Sequence, residues 1–254
     1  MLKVRVIPSL LLADGGLVKT EKFRNAKYLG DPINTVKIFN EKEVDELIFI
    51  DIQCSQQKKK PSLEVIKDLA SECFMPLSYG GGIDSLVQIE QILKIGVEKV
   101  VINHHALYHP AFLSSASQNF AQSTIVGAMD IKKNLWGNYM VYDHVKKKTL
   151  DISPVEYAKR LESLGCGELF INNVDREGTY LGFDLKIIEM ITAAVGIPVT
   201  VCGGASKLTD ITLAAEAGAS AVAIGSLFVY QGPHRAVLIS YPSFNKLKEL
   251  LSHA

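Results

Sequence analysis

Glu46-Leu-Ile-Phe-Ile-Asp51 recurs as Glu168-Leu-Phe-Ile-Asn-Asn173, an acidic residue and an apolar run closed by a short polar side chain. Tyr79-Gly-Gly-Gly82 recurs as Val201-Cys-Gly-Gly204, and Val100-Val-Ile-Asn103 as Val222-Ala-Ile-Gly225. The spacing is constant, since 168 − 46, 204 − 82 and 225 − 103 all equal 122. A fixed offset near half the chain length, with apolar strands ending at matching points, points to two copies of one folded half. The expected fold is an α/β (β/α)8 TIM barrel made of two duplicated half-barrels, about 1–122 and 123–254, in one domain spanning 1–254.

Length and composition fit. A chain of 254 residues with 48% hydrophobic content can bury a large single core. Apolar runs are broken by charge well short of the roughly 20 residues of a membrane span, and Met1-Leu-Lys-Val4 reads as the start of a strand rather than a signal peptide. The expected location is cytoplasmic. Lys+Arg and Asp+Glu both total 27, so no net field draws nucleic acid or anionic membrane. Cys54, Cys73, Cys166 and Cys202 show no paired spacing and read as reduced thiols.

Strands are expected near 4–11, 46–52, 76–80, 99–103, 125–130, 168–172, 198–202 and 221–224. They alternate with helical periodicity over 61–73, 85–95, 153–163, 184–193, 207–217 and 243–251, several opening on Ser or Asp as N-cap candidates. The alternation implies parallel βαβ units, whose chemistry lies in the loops after the strands. Two of these loops, Gly80-Gly-Gly-Ile-Asp84 and Gly203-Gly-Ala-Ser-Lys207, offer unhindered backbone N–H groups to an anion. With Asn103-His104 and Gly225-Ser226 they suggest two phosphate sites across one mouth; the competing reading is that glycine only permits tight turns.

Across nearly its whole length the chain resembles the cyclase subunit of imidazole-glycerol-phosphate synthase. The resemblance rests on Arg5-Val-Ile-Pro8, Asp14-Gly15, Lys19, Gly30-Asp-Pro32, Asp45-Glu-Leu47, Gly80-Gly-Gly-Ile83, Lys99-Val-Val-Ile-Asn103, Asp130, Asp175-Arg176, Gly178-Thr179, Gly203-Gly-Ala205 and Ser226. It implies ammonia taken from a glutaminase partner docked at the N-terminal face of the barrel, a substrate carrying two phosphates, and neither metal nor organic cofactor. It also implies an ammonia gate of four charges, matched by Arg5, Glu46, Lys99 and Glu168. Strand parity agrees: Arg5 shares a face with Ile7, Ser9 and Leu11, and Lys99 with Val101 and Asn103. The competing reading is a salt-bridge layer that plugs the barrel bottom.

The resemblance fails at one informative position. The family pairs a strand-one aspartate with the strand-five aspartate, within Cys-Leu-Asp-Val; here that stretch reads Ser9-Leu-Leu-Leu12, so Asp130 faces Leu11. Glu177 replaces an aspartate, His104 a small hydroxyl residue, Gly16 an arginine, and Tyr142-Asp-His-Val145 a small-residue turn. The changes sit at the substrate mouth while the charged ring is kept. The expectation is therefore a divergent paralogue of the surface-polysaccharide type, which uses ammonia to convert an acetamido group on a phosphorylated or nucleotide-linked sugar to an acetamidino group. Asp130 is then the surviving acid–base group, and Lys19, on a mobile first loop, positions or covers the substrate. Gly81, Gly82, Asn103, Glu177, Gly178, Gly203, Gly204, Gly225 and Ser226 hold substrate or phosphate.

Two other readings are an authentic histidine-pathway cyclase, rescued by Asp14, His104 or water, and a silent barrel that activates a glutaminase. His104, His105 and His109 lack the carboxylate or cysteine spacing of a metal site. Lys58–Lys60 and Lys146–Lys148 read as solvated loops, and Trp136 as a loop residue that shields the mouth or packs on the surface.

Overall fold

A computed structural model describes residues 4–252. Met1, Leu2 and Lys3, assigned above to the start of a strand, lie outside the described residues. Eight parallel strands close on themselves: β1 (Arg5–Ala13), β2 (Leu47–Asp51), β3 (Leu77–Gly80), β4 (Lys99–Ile102), β5 (Ile125–Lys133), β6 (Glu168–Asn173), β7 (Val199–Cys202) and β8 (Ala221–Ile224). Each pairs with the next, and β8 returns to β1 with Arg5 opposite Ala221 and Ile7 opposite Ala223. One main helix follows each strand: α1 (Pro32–Glu41), α2 (Leu63–Glu72), α3 (Leu86–Ile95), α4 (Pro110–Asn119), α5 (Pro154–Ser163), α6 (Leu185–Thr192), α7 (Thr209–Glu216) and α8 (Phe244–Leu251), with short helices Cys54–Gln57, His104–Tyr108 and Ser226–Val229 just after β2, β4 and β8. This is the (β/α)8 barrel.

The repeat survives in space. Adding 122 to the bounds of β3 (77–80) and β4 (99–102) gives the bounds of β7 and β8. The glycine loops match to the atom: a Cβ on Gly81 would lie 2.5 Å from the Asp51 carbonyl oxygen, and one on Gly203 2.7 Å from that of Asn173, with φ at +123° and +97°. Asp51 and Asn173 are themselves 122 apart (173 − 51). Both positions need glycine for the left-handed backbone and for the close approach.

The core has two shells, as strand alternation requires. Ile7, Ile48, Val101, Val126, Ala128, Phe170, Ala221 and Ala223 fill the barrel interior. Val6, Leu10, Phe49, Val100, Met129, Leu169, Val201 and Val222, on the opposite parity, pack under the helices with Phe39, Ile66, Ile92, Leu161 and Ile191.

Caps explain the helix starts. Ser62, Ser85 and Ser243 each accept a backbone N–H three residues on, so α2, α3 and α8 begin just after them. Ser153 and Asp184 make no such bond; Asp184 instead accepts from the Tyr139 hydroxyl at 2.8 Å and meets Lys133 at 3.4 Å. Helices α1 and α4, which periodicity did not single out, open with Asp31-Pro32 and His109-Pro110, where proline at the first position suits a helix start.

Among the β-hairpins that depart from the expected strand–helix alternation, two border the C-terminal ends of β1 and β5. Gly16–Glu21 folds back antiparallel on β1, with Leu11 opposite Val18, and Arg24–Gly30 pairs onto it. The turn is Asp14-Gly15, at φ +50° and +75°, a two-residue hairpin turn. Tyr139–Asp143 folds back on β5, with Asp130 opposite Tyr142. Trp136 sits at the turn of this second hairpin, 87% exposed, so it neither packs nor shields the mouth. No described helix is long and apolar enough to cross a membrane.

Candidate functional site

The interior ends in charge at one rim and in a lined cavity at the other. Below the first apolar layer, Arg5 Nη1 meets Glu46 Oε2 at 2.5 Å and Nη2 meets Glu168 Oε1 at 2.8 Å. Lys99 Nζ lies 3.1 Å from Glu46 Oε2 and 3.0 Å from Glu168 Oε2. The result is a closed ring of two cations and two carboxylates. Ser78 Oγ donates to Glu46 at 2.7 Å, and the Thr200 hydroxyl donates to Glu168. Both carboxylates are buried, which each could not be without such partners. Burial pushes the Glu168 carboxyl up, but Arg5 and Lys99 outweigh it and hold it below the ordinary glutamate range.

At the opposite end, every residue expected to bind or act on substrate lines one cavity: Lys19, Gly81, Gly82, Asn103, Asp130, Glu177, Gly178, Gly203, Gly204, Gly225 and Ser226. Parallel strands running the same way separate this mouth from the charged ring by the full depth of the barrel. Leu11 also lines the mouth, so an apolar side chain stands where the resembled family places a carboxylate. The side-chain oxygens of Asn103 and Asn172, buried in this mouth, have no hydrogen-bond partner among the described residues.

Lys19 does not lie on a loose loop. It is part of the first hairpin, 7% exposed, and its ammonium is ion-paired with Glu177. The other Glu177 oxygen accepts the Phe23 backbone N–H at 3.1 Å, which ties the hairpin end to the segment after β6. The alternation Leu17-Val18-Lys19-Thr20 adds a strand to β1 and turns Lys19 inward. Asp14 does not return to the site: it is exposed at the turn, bonded twice to Gln53, at 3.0 Å through its N–H and 2.9 Å through its carboxylate.

The structure adds a residue that sequence reading noted only as part of a substituted turn. His144 Nδ1 lies 3.0 Å from Asp130 Oδ2, the oxygen to which Asn103 Nδ2 donates at 2.8 Å. Burial lowers the His144 basicity, but the Asp130 hydrogen bond and charge outweigh it and raise the imidazole above the ordinary range. The signal was available in Tyr139-Met-Val-Tyr-Asp143, whose alternation allows a strand folded back on β5. Beside it, His104 Nδ1 approaches Asp143 Oδ1 at 3.3 Å, and burial holds His104 below the usual histidine range.

His105 stacks on His109 with ring centres 4.6 Å apart, and among the described residues no group of three or more His, Cys, Asp or Glu side chains is arranged to hold a metal. Lys58–Lys60 and Lys146–Lys148 are exposed.

Known proteins match this sequence. The family model described as histidine biosynthesis protein covers residues 5–234. A Pseudomonas aeruginosa protein, provisionally named imidazole glycerol phosphate synthase subunit hisF2, is 49% identical over 97% of this chain and 99% of its own. A Leptospira interrogans protein, provisionally named imidazole glycerol phosphate synthase subunit HisF, is 46% identical over 96% of each chain. Alkaliphilus metalliredigens imidazole glycerol phosphate synthase subunit HisF is 36% identical over 91% of this chain and 92% of its own. With a closed eight-stranded barrel and full-length relatives of this kind, the chain belongs to the histidine biosynthesis protein family, among the cyclase subunits of imidazole glycerol phosphate synthase.

Proposed function

We propose that this chain is an ammonia-using synthase subunit that takes ammonia from a glutaminase docked at the charged rim and delivers it to an acceptor other than the imidazole precursor. The acceptor class is a phosphorylated or nucleotide-linked sugar, aminated or amidinated for surface polysaccharide. Leu11 carries this reading: a leucine in the mouth can neither take nor give a proton, and a positioned proton-transfer group contributes about 10²–10⁴-fold. Imidazole ring closure needs several internal proton transfers, whereas attack of ammonia on an activated carbon needs fewer.

Three features support the rest. The ring of Arg5, Glu46, Lys99 and Glu168 is neutral as a unit and caps an apolar interior that includes Ala128, Phe170, Ala221 and Ala223, an environment that admits NH3 more readily than NH4+. The paired glycine loops suit phosphate or pyrophosphate. Asp130 remains as an acid–base group in the mouth, and the Lys19–Glu177 pair closes one side over the substrate. The histidine-pathway alternative is favoured by the name of the Alkaliphilus relative but loses its nearest rescue, because Asp14 is held outside the mouth.

The test is conversion of the phosphoribulosyl-formimino aminoimidazole carboxamide nucleotide with excess ammonium chloride. The wild-type chain is expected at least 10²-fold below the Leu11→Asp variant, from the loss of one proton-transfer group. Equal and robust conversion by both would refute the changed acceptor.

A further inference from the structure

We infer that His144 is the proton carrier of this site, oriented by Asp130. This rests on the reading of the mouth as an amination site. The geometry is that of an imidazole held by a carboxylate: Asp130 Oδ2 accepts from His144 Nδ1 at 3.0 Å, and Asn103 Nδ2 holds the same oxygen at 2.8 Å. His144 lines the mouth, and among the described residues its other ring nitrogen, Nε2, has no hydrogen-bond partner. A carboxylate in this position fixes the tautomer with Nε2 free to act as base and stabilises the imidazolium that results.

The groups facing His144 are consistent with one mobile proton. Asp130 comes from β5, Asp143 from the adjoining hairpin strand, and His104 from the short helix after β4, its ring centre 5.8 Å away. Asp143 is occupied by the Tyr108 hydroxyl at 2.5 Å and by the backbone N–H groups of Val145 and Lys146 at 2.9 and 3.0 Å. Burial holds His104 below the usual histidine range, so it does not compete as a second cation.

The step balances with ammonia as the only co-reactant. The ammonia lone pair forms the C–N bond to an electrophilic carbon that carries an oxygen leaving group. His144 Nε2 takes one N–H proton from the resulting ammonium. The C–O bond breaks with its electron pair on oxygen, and the imidazolium returns the same proton to that oxygen. His144 and Asp130 end as they began.

The first test needs no acceptor: an NMR titration of the histidine rings in the whole protein, with His144 assigned through His144→Gln. The His144 midpoint is expected above the ordinary value of about 6.5 and to fall by one pH unit or more in Asp130→Asn, with His104 little changed. A ring that only packs there would keep its midpoint, and an unshifted midpoint in a folded Asp130→Asn protein overturns the inference. The acceptor reading fails separately. Robust wild-type conversion of the imidazole precursor nucleotide with ammonium chloride would contradict the changed acceptor and leave the proton carrier standing. In that case His144→Gln must lower conversion at least tenfold and remove one limb of the pH profile; an unchanged rate and profile overturn it. With no wild-type conversion, the titration decides alone.

Discussion

Replacing Lys99 by methionine leaves the ring at the barrel base with one cation between two buried carboxylates. Lys99 Nζ lies 3.1 and 3.0 Å from Glu46 and Glu168, whose side chains are 6% and 9% exposed. At an effective dielectric of about 20, each such contact is worth roughly 5 kcal/mol before desolvation is subtracted. Desolvation cancels much of this, and removing one partner of a buried pair typically costs about 3–5 kcal/mol. Lys99 is 19% exposed, so the low end applies: about 3 kcal/mol for Lys99→Met and a similar loss for Glu46→Gln. The double variant restores neutrality, with Arg5 left facing Glu168 alone. Its loss should be about 3 to 4 kcal/mol rather than 6, a coupling of about 2 to 3 kcal/mol. Urea unfolding followed by far-ultraviolet ellipticity measures this; Trp136 fluorescence does not, because that ring is 87% exposed before unfolding. Additivity within about 0.5 kcal/mol would refute the ring as one electrostatic unit.

Placed in a Leu11→Asp background with a glutaminase partner, Lys99→Met should depress glutamine-driven conversion at least tenfold more than ammonium-driven conversion; equal losses would contradict a gate. Gly81→Ala forces a Cβ to 2.5 Å from the Asp51 carbonyl at φ +123°, so a loss of about 1–3 kcal/mol and weaker binding of inorganic pyrophosphate are expected by calorimetry, and unchanged values would contradict the cradle. Glu168 has a depressed folded-state pKa, so its contribution to stability is present above the unfolded glutamate value, about 4.3, and lost as pH falls through the folded value. Glu168→Gln should therefore flatten the acid limb of a stability–pH curve, and an unchanged limb would assign that titration elsewhere. His144 has the opposite sign: its contribution is full below about 6.5 and lost as pH rises through its raised value, a dependence that Asp130→Asn should remove.

The barrel was legible because buried parallel strands are short apolar runs, and a 122-residue repeat marked six of them as three matched pairs. The ring was legible from the resemblance, and parity supported it at Arg5 and Lys99, which share strand faces with the inward-facing Ile7 and Val101. Helix ends were drawn one to two residues too wide at Ser62, Ser85 and Ser243 because a cap residue flanks the helix rather than joining it. The two hairpins were missed for different reasons. Asp14-Gly15 carries the turn signal, but the short run after it shows its strand character only through pairing with β1, which buries Lys19 against Glu177. For Tyr139–Asp143 the alternation allows a strand, but its partner is a tertiary matter: the register that sets Asp130 opposite Tyr142 also swings His144 back to Asp130.

The central claim is a kept ammonia-using scaffold with a changed acceptor, and a single-turnover experiment tests it most directly because it separates binding from chemistry. Excess protein is mixed with the phosphoribulosyl-formimino aminoimidazole carboxamide nucleotide and saturating ammonium chloride, and bound and consumed nucleotide are followed together. The account predicts a wild-type chain that binds the nucleotide through its glycine loops but consumes it at least 10²-fold more slowly than Leu11→Asp. Wild-type consumption at the rate of Leu11→Asp would contradict it and return the chain to the histidine pathway.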